Sequence, residues 1–306
     1  MQTTSHLLMI RPVRFTFNTQ TAESNAFQQA PNIQSAIETQ AKALQEFDNL
    51  VATLRKVGVE VMVVEDTPEP HTPDSIFPNN WISTHADGTI FLYPMEAPNR
   101  RLERRQDILD LLAQKFHVSQ IIDFSDYETQ NRFLEGTGSM VLDRTYGIVY
   151  AALSTRTDLQ LAQEFAQKVG YELITFHALD KNNKPIYHTN VVMCLANNFA
   201  VICLECIKNE QEREQVITKL TQTGKEIVAI SMEQLEQFAG NMLALSAIPK
   251  PILAMSSRAY HSLRQEQIQI LEKYAQIVHS DISTIETNGG GSVRCMLAEI
   301  FLPPLN

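Results

Sequence analysis

A chain of 306 residues, 44% hydrophobic and 20% charged, carries enough apolar material for a substantial core and has the length of about two small domains or one large α/β domain. Its formal charge of −10 argues against nucleic acid or an anionic membrane as partner, since both need a basic face, and leaves a small molecule as the expected one. No apolar run approaches the ~20 residues of a membrane helix, and Leu7 to Ile10 is too short for a signal peptide, so a cytoplasmic protein with its four cysteines reduced is expected.

Val13, Phe15 and Phe17 alternate with Arg14 and Thr16, the period of a half-buried strand, and residues 19–32 read as a loop. From Asn32 to Val57 the apolar positions Ile33, Ile37, Leu44, Phe47, Val51 and Leu54 recur at near-helical spacing. Gly58 supplies a stop, and Val59 to Val64 reads as a buried strand.

This helix-to-strand junction recurs. Lys56-Val57-Gly58-Val59 is echoed at Lys115, Lys168, Thr223 and, more loosely, Tyr274, so five similar units of about fifty residues fill the chain. After each of the first four junctions come two apolar strands joined by a turn: Ile76 to Thr84 with Thr89 to Tyr93, Gly138 to Leu142 with Gly147 to Ala152, Val191 to Ala196 with Phe199 to Glu205, and Met242 to Ser246 with Ile252 to Ser256. The fifth pair has only Ser292 to Phe301. The strand at Val13 to Phe17 is expected to complete it, closing the ring between the two ends and leaving no exposed edge. The expected architecture is therefore one α/β unit over residues 1–306, a five-fold pseudo-symmetric propeller of ββαβ repeats.

The residues that open the first strand of each hairpin lie at equivalent places: Asp74-Ser75, Glu135-Gly136-Thr137-Gly138, His188-Thr189-Asn190, Ala239-Gly240-Asn241 and Asn288-Gly289-Gly290-Gly291, with Cys295 just beyond. In a closed ring such positions gather around the axis, so Asp74, Glu135, His188 and Cys295 are expected to converge. A free thiol, with a pKa of about 8.5, is mostly protonated at neutral pH and needs a base or cation nearby. His188 is the candidate for that partner or for a proton shuttle worth ~10²–10⁴ in rate, and Glu135 either fixes the imidazole or binds a cationic substrate group.

With these repeats, the motifs Leu-Glu-Gly-Thr-Gly (134–138), His-Thr-Asn (188–190) and Gly-Gly-Gly-Ser-Val-Arg-Cys (289–295) resemble those of the pentein-fold guanidine-modifying enzymes, which include arginine deiminases, dimethylarginine dimethylaminohydrolases and amidinotransferases. Residues 8–28 are most similar to the amidinotransferase-like branch that contains bacterial citrulline-utilisation hydrolases. The resemblance implies that Cys295 attacks a guanidino or ureido carbon, that His188 protonates the leaving amine and then activates water, and that neither a metal nor an organic cofactor is required. It also implies that Arg100 and Arg156 hold the carboxylate of an arginine- or citrulline-like amino acid, with Asp74 in contact with the substrate. A homo-oligomer is compatible with all of this.

Two departures from the deiminase pattern bear on the substrate. Where those relatives place aspartates against a guanidinium cation, this chain has Asn80 and Asn190. An amide offers both a donor and an acceptor, which suits a neutral ureido group such as that of citrulline. Arginine deimination, amidino transfer to an amine and non-catalytic amino-acid binding are the alternatives. Cys194, Cys203 and Cys206 read as core thiols and not as a zinc site, His71 and His85 read as exposed loop residues, and Tyr127 to Phe133 and Ala178 to Ile186 are long enough to serve as covers. No phosphate-loop or dinucleotide glycine spacing is present.

Overall fold

The computed structural model describes residues 1–29 and 36–305. Strand β1 (His6–Arg11) buries Leu7 to Ile10 on both faces, as a strand does inside a sheet covered on two sides. Helix Ala36–Lys56 follows, burying Ala43, Phe47, Leu50, Val51 and Leu54 along one stripe. Glu38 in its first turn and Arg55 and Lys56 in its last oppose the helix dipole at both ends. Gly58, at φ +86°, turns the chain into β2 (Glu60–Glu65), which runs parallel to β1 from His6 opposite Glu60 to Arg11 opposite Glu65.

Four similar units come next. They consist of β3 (Ile82–Thr84), β4 (Thr89–Leu92), helix Gln106–Lys115 and β5 (Gln120–Asp123); then β6 (Val141–Asp143), β7 (Ile148–Ala152), helix Leu159–Val169 and β8 (Glu172–Phe176). The third has β9 (Met193–Leu195), β10 (Phe199–Ile202), helix Glu210–Gln222 and β11 (Glu226–Ala229), and the fourth β12 (Leu243–Leu245), β13 (Ile252–Ser256), helix Gln265–Tyr274 and β14 (Gln276–Ser280). In every unit the first two strands are antiparallel and the third, reached by the helical crossover, is parallel to the second.

Finally β15 (Ala298–Glu299) pairs antiparallel with β1, so that a fifth sheet of order β15-β1-β2 is assembled from both ends of the chain. The first strands face one another, β6 against β9, β9 against β12 and β15 against β3, and form the inner wall of the ring. Residues 2–4 fasten it from within: Gln2 donates to the Leu142 carbonyl at 2.8 Å, Thr3 bonds Ser246 at 2.8 Å, and Thr4 donates to the Ile300 carbonyl at 2.8 Å.

The ring of ββαβ units is the one the repeats imply, with local differences. The strand that closes it is β1, and residues 13–17 form no strand: Pro12 has no N–H to extend the ladder beyond Arg11, and the alternation there reflects the packing of buried Phe15 beneath the glycine turn. Ile37 is 81% exposed and lies outside the buried stripe. Asn32 and Ile33 fall outside the described residues. The first strands of the hairpins are only two or three residues long, because one-turn helices at Pro78–Asn80, Gly136–Ser139, Thr189–Val192 and Val293–Met296 occupy what reads in the sequence as strand. Among the described residues, no helix is long and apolar enough to cross a membrane.

Candidate active site

Those one-turn helices, with the turn before β12, place the site. All sit at the same end of the five inner strands, so Asn80, Glu135, His188, Asn190, Asn241 and Cys295 converge from positions far apart in the chain. Glu135 and His188 each immediately precede their turn, and Cys295 lies inside its own. Gly138 leaves space for this convergence, since a Cβ there would stand 2.8 Å from the His188 ring. The turn that delivers Cys295 follows helix Ser283–Gly289, which ends at Gly290 with φ +65°. Tyr187 donates to the Gly290 carbonyl at 2.6 Å, and Ser292 donates to buried Glu286 at 2.6 Å, holding that turn from both sides.

His188 Nε2 and Glu135 Oε2 are 2.8 Å apart, both side chains buried. With Nε2 donating to the carboxylate, Nδ1 carries the free lone pair, and it makes no hydrogen bond among the described residues. Burial raises the Glu135 carboxyl, but Arg156, the hydrogen bond from His188 and Arg100 outweigh it and hold the group ionised well below the usual range. Burial lowers His188 despite Glu135, so the resting imidazole is neutral. Burial also raises the Cys295 thiol, against the Ser292 backbone hydrogen bond and the Asn241 amide. Two carboxamide side chains also reach Cys295 Sγ, Asn241 Nδ2 at 3.3 Å and Asn190 Nδ2 at 3.6 Å.

Arg100 and Arg156 are both buried at the site. Arg100 grips Glu103 in bidentate fashion at 2.9 and 3.0 Å and donates to Asn80 Oδ1 at 2.8 Å, which leaves little of it free. Arg156 reaches Ser24 Oγ at 2.6 Å and Glu96 at 3.1 Å, and lies 3.5 Å from Glu135 Oε2. Asp74 Oδ2 accepts from Asn18 at 2.7 Å, while Oδ1 and the Asn80 Nδ2 have no partner among the described residues. Burial raises the Asp74 carboxyl, with Arg100 opposing.

All eight residues singled out in the sequence are thus brought to one place. Asn241 shares their register but had no role assigned to it, and Glu103 was signalled only by its spacing of three from Arg100. The cavity lined by Asp74, Asn80, Arg100, Arg156, His188 and Cys295 measures about 10 Å³, the space of roughly one water. It is covered by residues 18–29, through Asn25 to the Gly289 and Gly290 carbonyls and Gln28 to the Asn288 carbonyl at 2.9 Å; neither of the two loops expected as covers lines it.

Elsewhere, Cys194, Cys203 and Cys206 are buried core thiols, and among the described residues no group of three or more His, Cys, Asp or Glu is placed to hold a metal ion. His85 is buried and not exposed, because its turn folds back against Phe91 and Phe165.

Residues 11–302 match the model of the family described as eukaryotic N,N-dimethylarginine dimethylhydrolase. Among solved structures, the N-terminal domain of ArgZ, an arginine dihydrolase from the ornithine-ammonia cycle in cyanobacteria, is similar at 15% identity and TM-score 0.75, over 97% of this chain and 99% of that one. AgrE, as a variant bound to L-arginine, is similar at 16% identity and TM-score 0.76, over 98% of this chain and 40% of that one. A variant of the DDAH of Pseudomonas aeruginosa in complex with citrulline is similar at 15% identity and TM-score 0.66, over 98% of this chain and 100% of that one. These likenesses show the pentein fold. No curated protein matches the chain.

Proposed function

The chain belongs to the N,N-dimethylarginine dimethylhydrolase family of pentein enzymes, and within that family we propose, from the polar groups around Cys295, that it hydrolyses the ureido group of citrulline, giving ornithine, ammonia and carbon dioxide. At the coarser level it is a hydrolase of the amidinotransferase and deiminase type, acting on carbon–nitrogen bonds outside peptides. The finer reading is carried by one observation: the side chains in hydrogen-bond contact with the Cys295 sulfur are the amides of Asn190 and Asn241, not carboxylates. A buried guanidinium would need counter-charge at that point, whereas a neutral urea needs donors for its oxygen and acceptors for its nitrogens.

In this reading Cys295, as thiolate, adds to the ureido carbon. His188, having taken the thiol proton on Nδ1, passes it to the departing ammonia, and a thiocarbamate links Cys295 to the substrate's δ-nitrogen. Glu135 stabilises the imidazolium while it exists. Water, deprotonated by His188, then adds to the same carbon and expels the thiolate. The resulting carbamate loses carbon dioxide to leave ornithine, so one water is consumed per turnover. Asn80 donates from its unpartnered Nδ2 to the ureido oxygen. Arg156 holds the α-carboxylate, and Arg100, already committed to Glu103, fixes Asn80 and shares that charge. The unpartnered Oδ1 of Asp74 receives the α-ammonium. Residues 1–306 act as one unit, for β1 and β15 build a single sheet.

An amino acid does not fit a cavity of about 10 Å³, so residues 18–29 must move to admit it. Their outer side borders an open cleft of about 450 Å³ lined by Ser24, Glu96 and Tyr187, a suitable approach. A second reading, hydrolysis of a guanidino substrate such as dimethylarginine, draws on Asp74, whose free oxygen could pair with a cation. Incubation with arginine, citrulline, agmatine and methylated arginines, each alone and with glycine or lysine present, followed by mass analysis, decides among hydrolysis of either group and amidino transfer. Release of citrulline from arginine with citrulline itself left untouched would sink the ureido reading.

A further inference from the structure

At the other end of the ring, between the turn of the β3–β4 hairpin and that of β6–β7, lies a cavity of about 300 Å³, at the lower end of sizes that hold small ligands. Arg144 lines it. Its guanidinium lies 3.9 Å over the Phe301 ring, and its one side-chain hydrogen bond among the described residues runs from Nη1 to His85 Nδ1, at 3.4 Å. No carboxylate among the described residues lies within 4.0 Å of it; Glu299, whose charge it feels, is taken by Arg294 at 2.9 Å.

His85 does not supply the missing negative charge. Its Nε2 bonds Ser83 Oγ at 3.1 Å, Ser83 bonds Tyr93 at 2.6 Å, and burial, then Arg144, keeps the imidazole neutral. Lys168 lines the same cavity, paired with Glu164 only at 3.7 Å and partly exposed, a contact weak enough to give up. Asp87, the one carboxylate in the lining, already accepts from the Thr89 N–H at 2.9 Å. A guanidinium with most of its donors unused, in a cavity that a second cation also lines, matches the edge of an oxyanion.

We propose that this cavity binds a small oxyanion, phosphate or carboxylate, held by Arg144 with Lys168 as second cation, at a site separate from that of Cys295. The full chain is titrated calorimetrically with inorganic phosphate and with acetate, each in sodium chloride at matched ionic strength. Saturable binding of at least one is expected, weakened about tenfold or more by Arg144→Gln, more mildly by Lys168→Met, and retained in Arg156→Gln. Phosphate alone binding identifies a phosphate-bearing ligand, and acetate binding as well identifies a carboxylate. Absence of saturable binding of either anion, or binding that survives Arg144→Gln but is lost in Arg156→Gln, overturns the proposal. If Arg144→Gln does not fold, Lys168→Met decides, and an unchanged affinity there overturns it equally.

Discussion

Asn241 Nδ2 stands 3.3 Å from Cys295 Sγ and also donates to the Asn190 carbonyl at 2.9 Å, so one amide group joins the thiol to the one-turn helix that follows His188. A hydrogen bond to a sulfur that must become an anion contributes more to the thiolate than to the thiol. Asn241→Ala should therefore lower turnover roughly ten- to a hundredfold, the equivalent of a charge-assisted bond of ~1.5–3 kcal/mol. It should also raise the pH midpoint of Cys295 alkylation by iodoacetamide. A rate loss with an unmoved midpoint would assign Asn241 to packing alone.

Cys295→Ala should abolish ammonia release. The side chain is small and buried, so its loss should move the melting temperature by only a few degrees. Ammonia release at the native rate by a folded variant would exclude the covalent route.

The ring was readable in the sequence because each unit repeats a helix stop and a buried strand, as at Lys56-Val57-Gly58-Val59, and because Glu135, His188 and Cys295 occupy matching positions in it. The strand boundaries were not. Thr189 to Val192 and Val293 to Met296 are rich in β-branched and apolar residues, yet they turn as helices, since the ring needs a bend that aims His188 and Cys295 at its axis. Nor could the sequence reveal that Arg100 is spent on Glu103, or that residues 18–29 cover the site. Both depend on which polar groups face each other after folding, and neither leaves a periodicity.

Glu286 gives a stability prediction with a definite sign. Burial pushes its carboxyl up to about 7, with the hydrogen bond from Ser292 opposing. The folded state then holds the proton more tightly than the unfolded chain does, so this contribution is complete below the usual carboxyl range and is lost as pH rises through about 7. Urea unfolding at acidic and alkaline pH should show the native protein losing on the order of 2–3 kcal/mol relative to Glu286→Gln across that window. A constant difference between the two proteins would mean that folding leaves the Glu286 carboxyl unshifted.

The pH dependence of kcat/KM follows from opposite shifts. Burial raises Cys295 and lowers His188, so the resting pair is thiol and neutral imidazole. Because His188 must hand the thiol proton to the departing ammonia, the productive form keeps that proton, so the rate should stay level through neutrality, with no acid limb from His188 there, and fall in the alkaline range as the thiol ionises to solvent. Glu135→Gln keeps a hydrogen-bond acceptor for Nε2 but removes the charge that supports the imidazolium. It should cost ~10²–10⁴ in kcat, with a much smaller change in KM. A comparable loss confined to KM would make Glu135 a binding residue.

Asn80 decides most directly whether the site reads a neutral or a charged group. Its Oδ1 is fixed by Arg100 Nη1 at 2.8 Å, and its Nδ2 is left without a partner at the cavity of Cys295. In Asn80→Asp one carboxylate oxygen keeps the bond to Arg100, while the other replaces the free donor with a charged acceptor. A ureido oxygen would then meet repulsion, and a guanidinium would gain the counter-charge that the amides around Cys295 withhold. The ratio of kcat/KM for arginine over citrulline should rise by at least ~10-fold, the effect of one hydrogen bond to a charged group gained or lost in a dry site. Measuring both constants on the native protein and the variant tests this. An unchanged ratio would move the discrimination to Asn190 and Asn241, and a fall would reverse the assignment of donor and acceptor at Asn80.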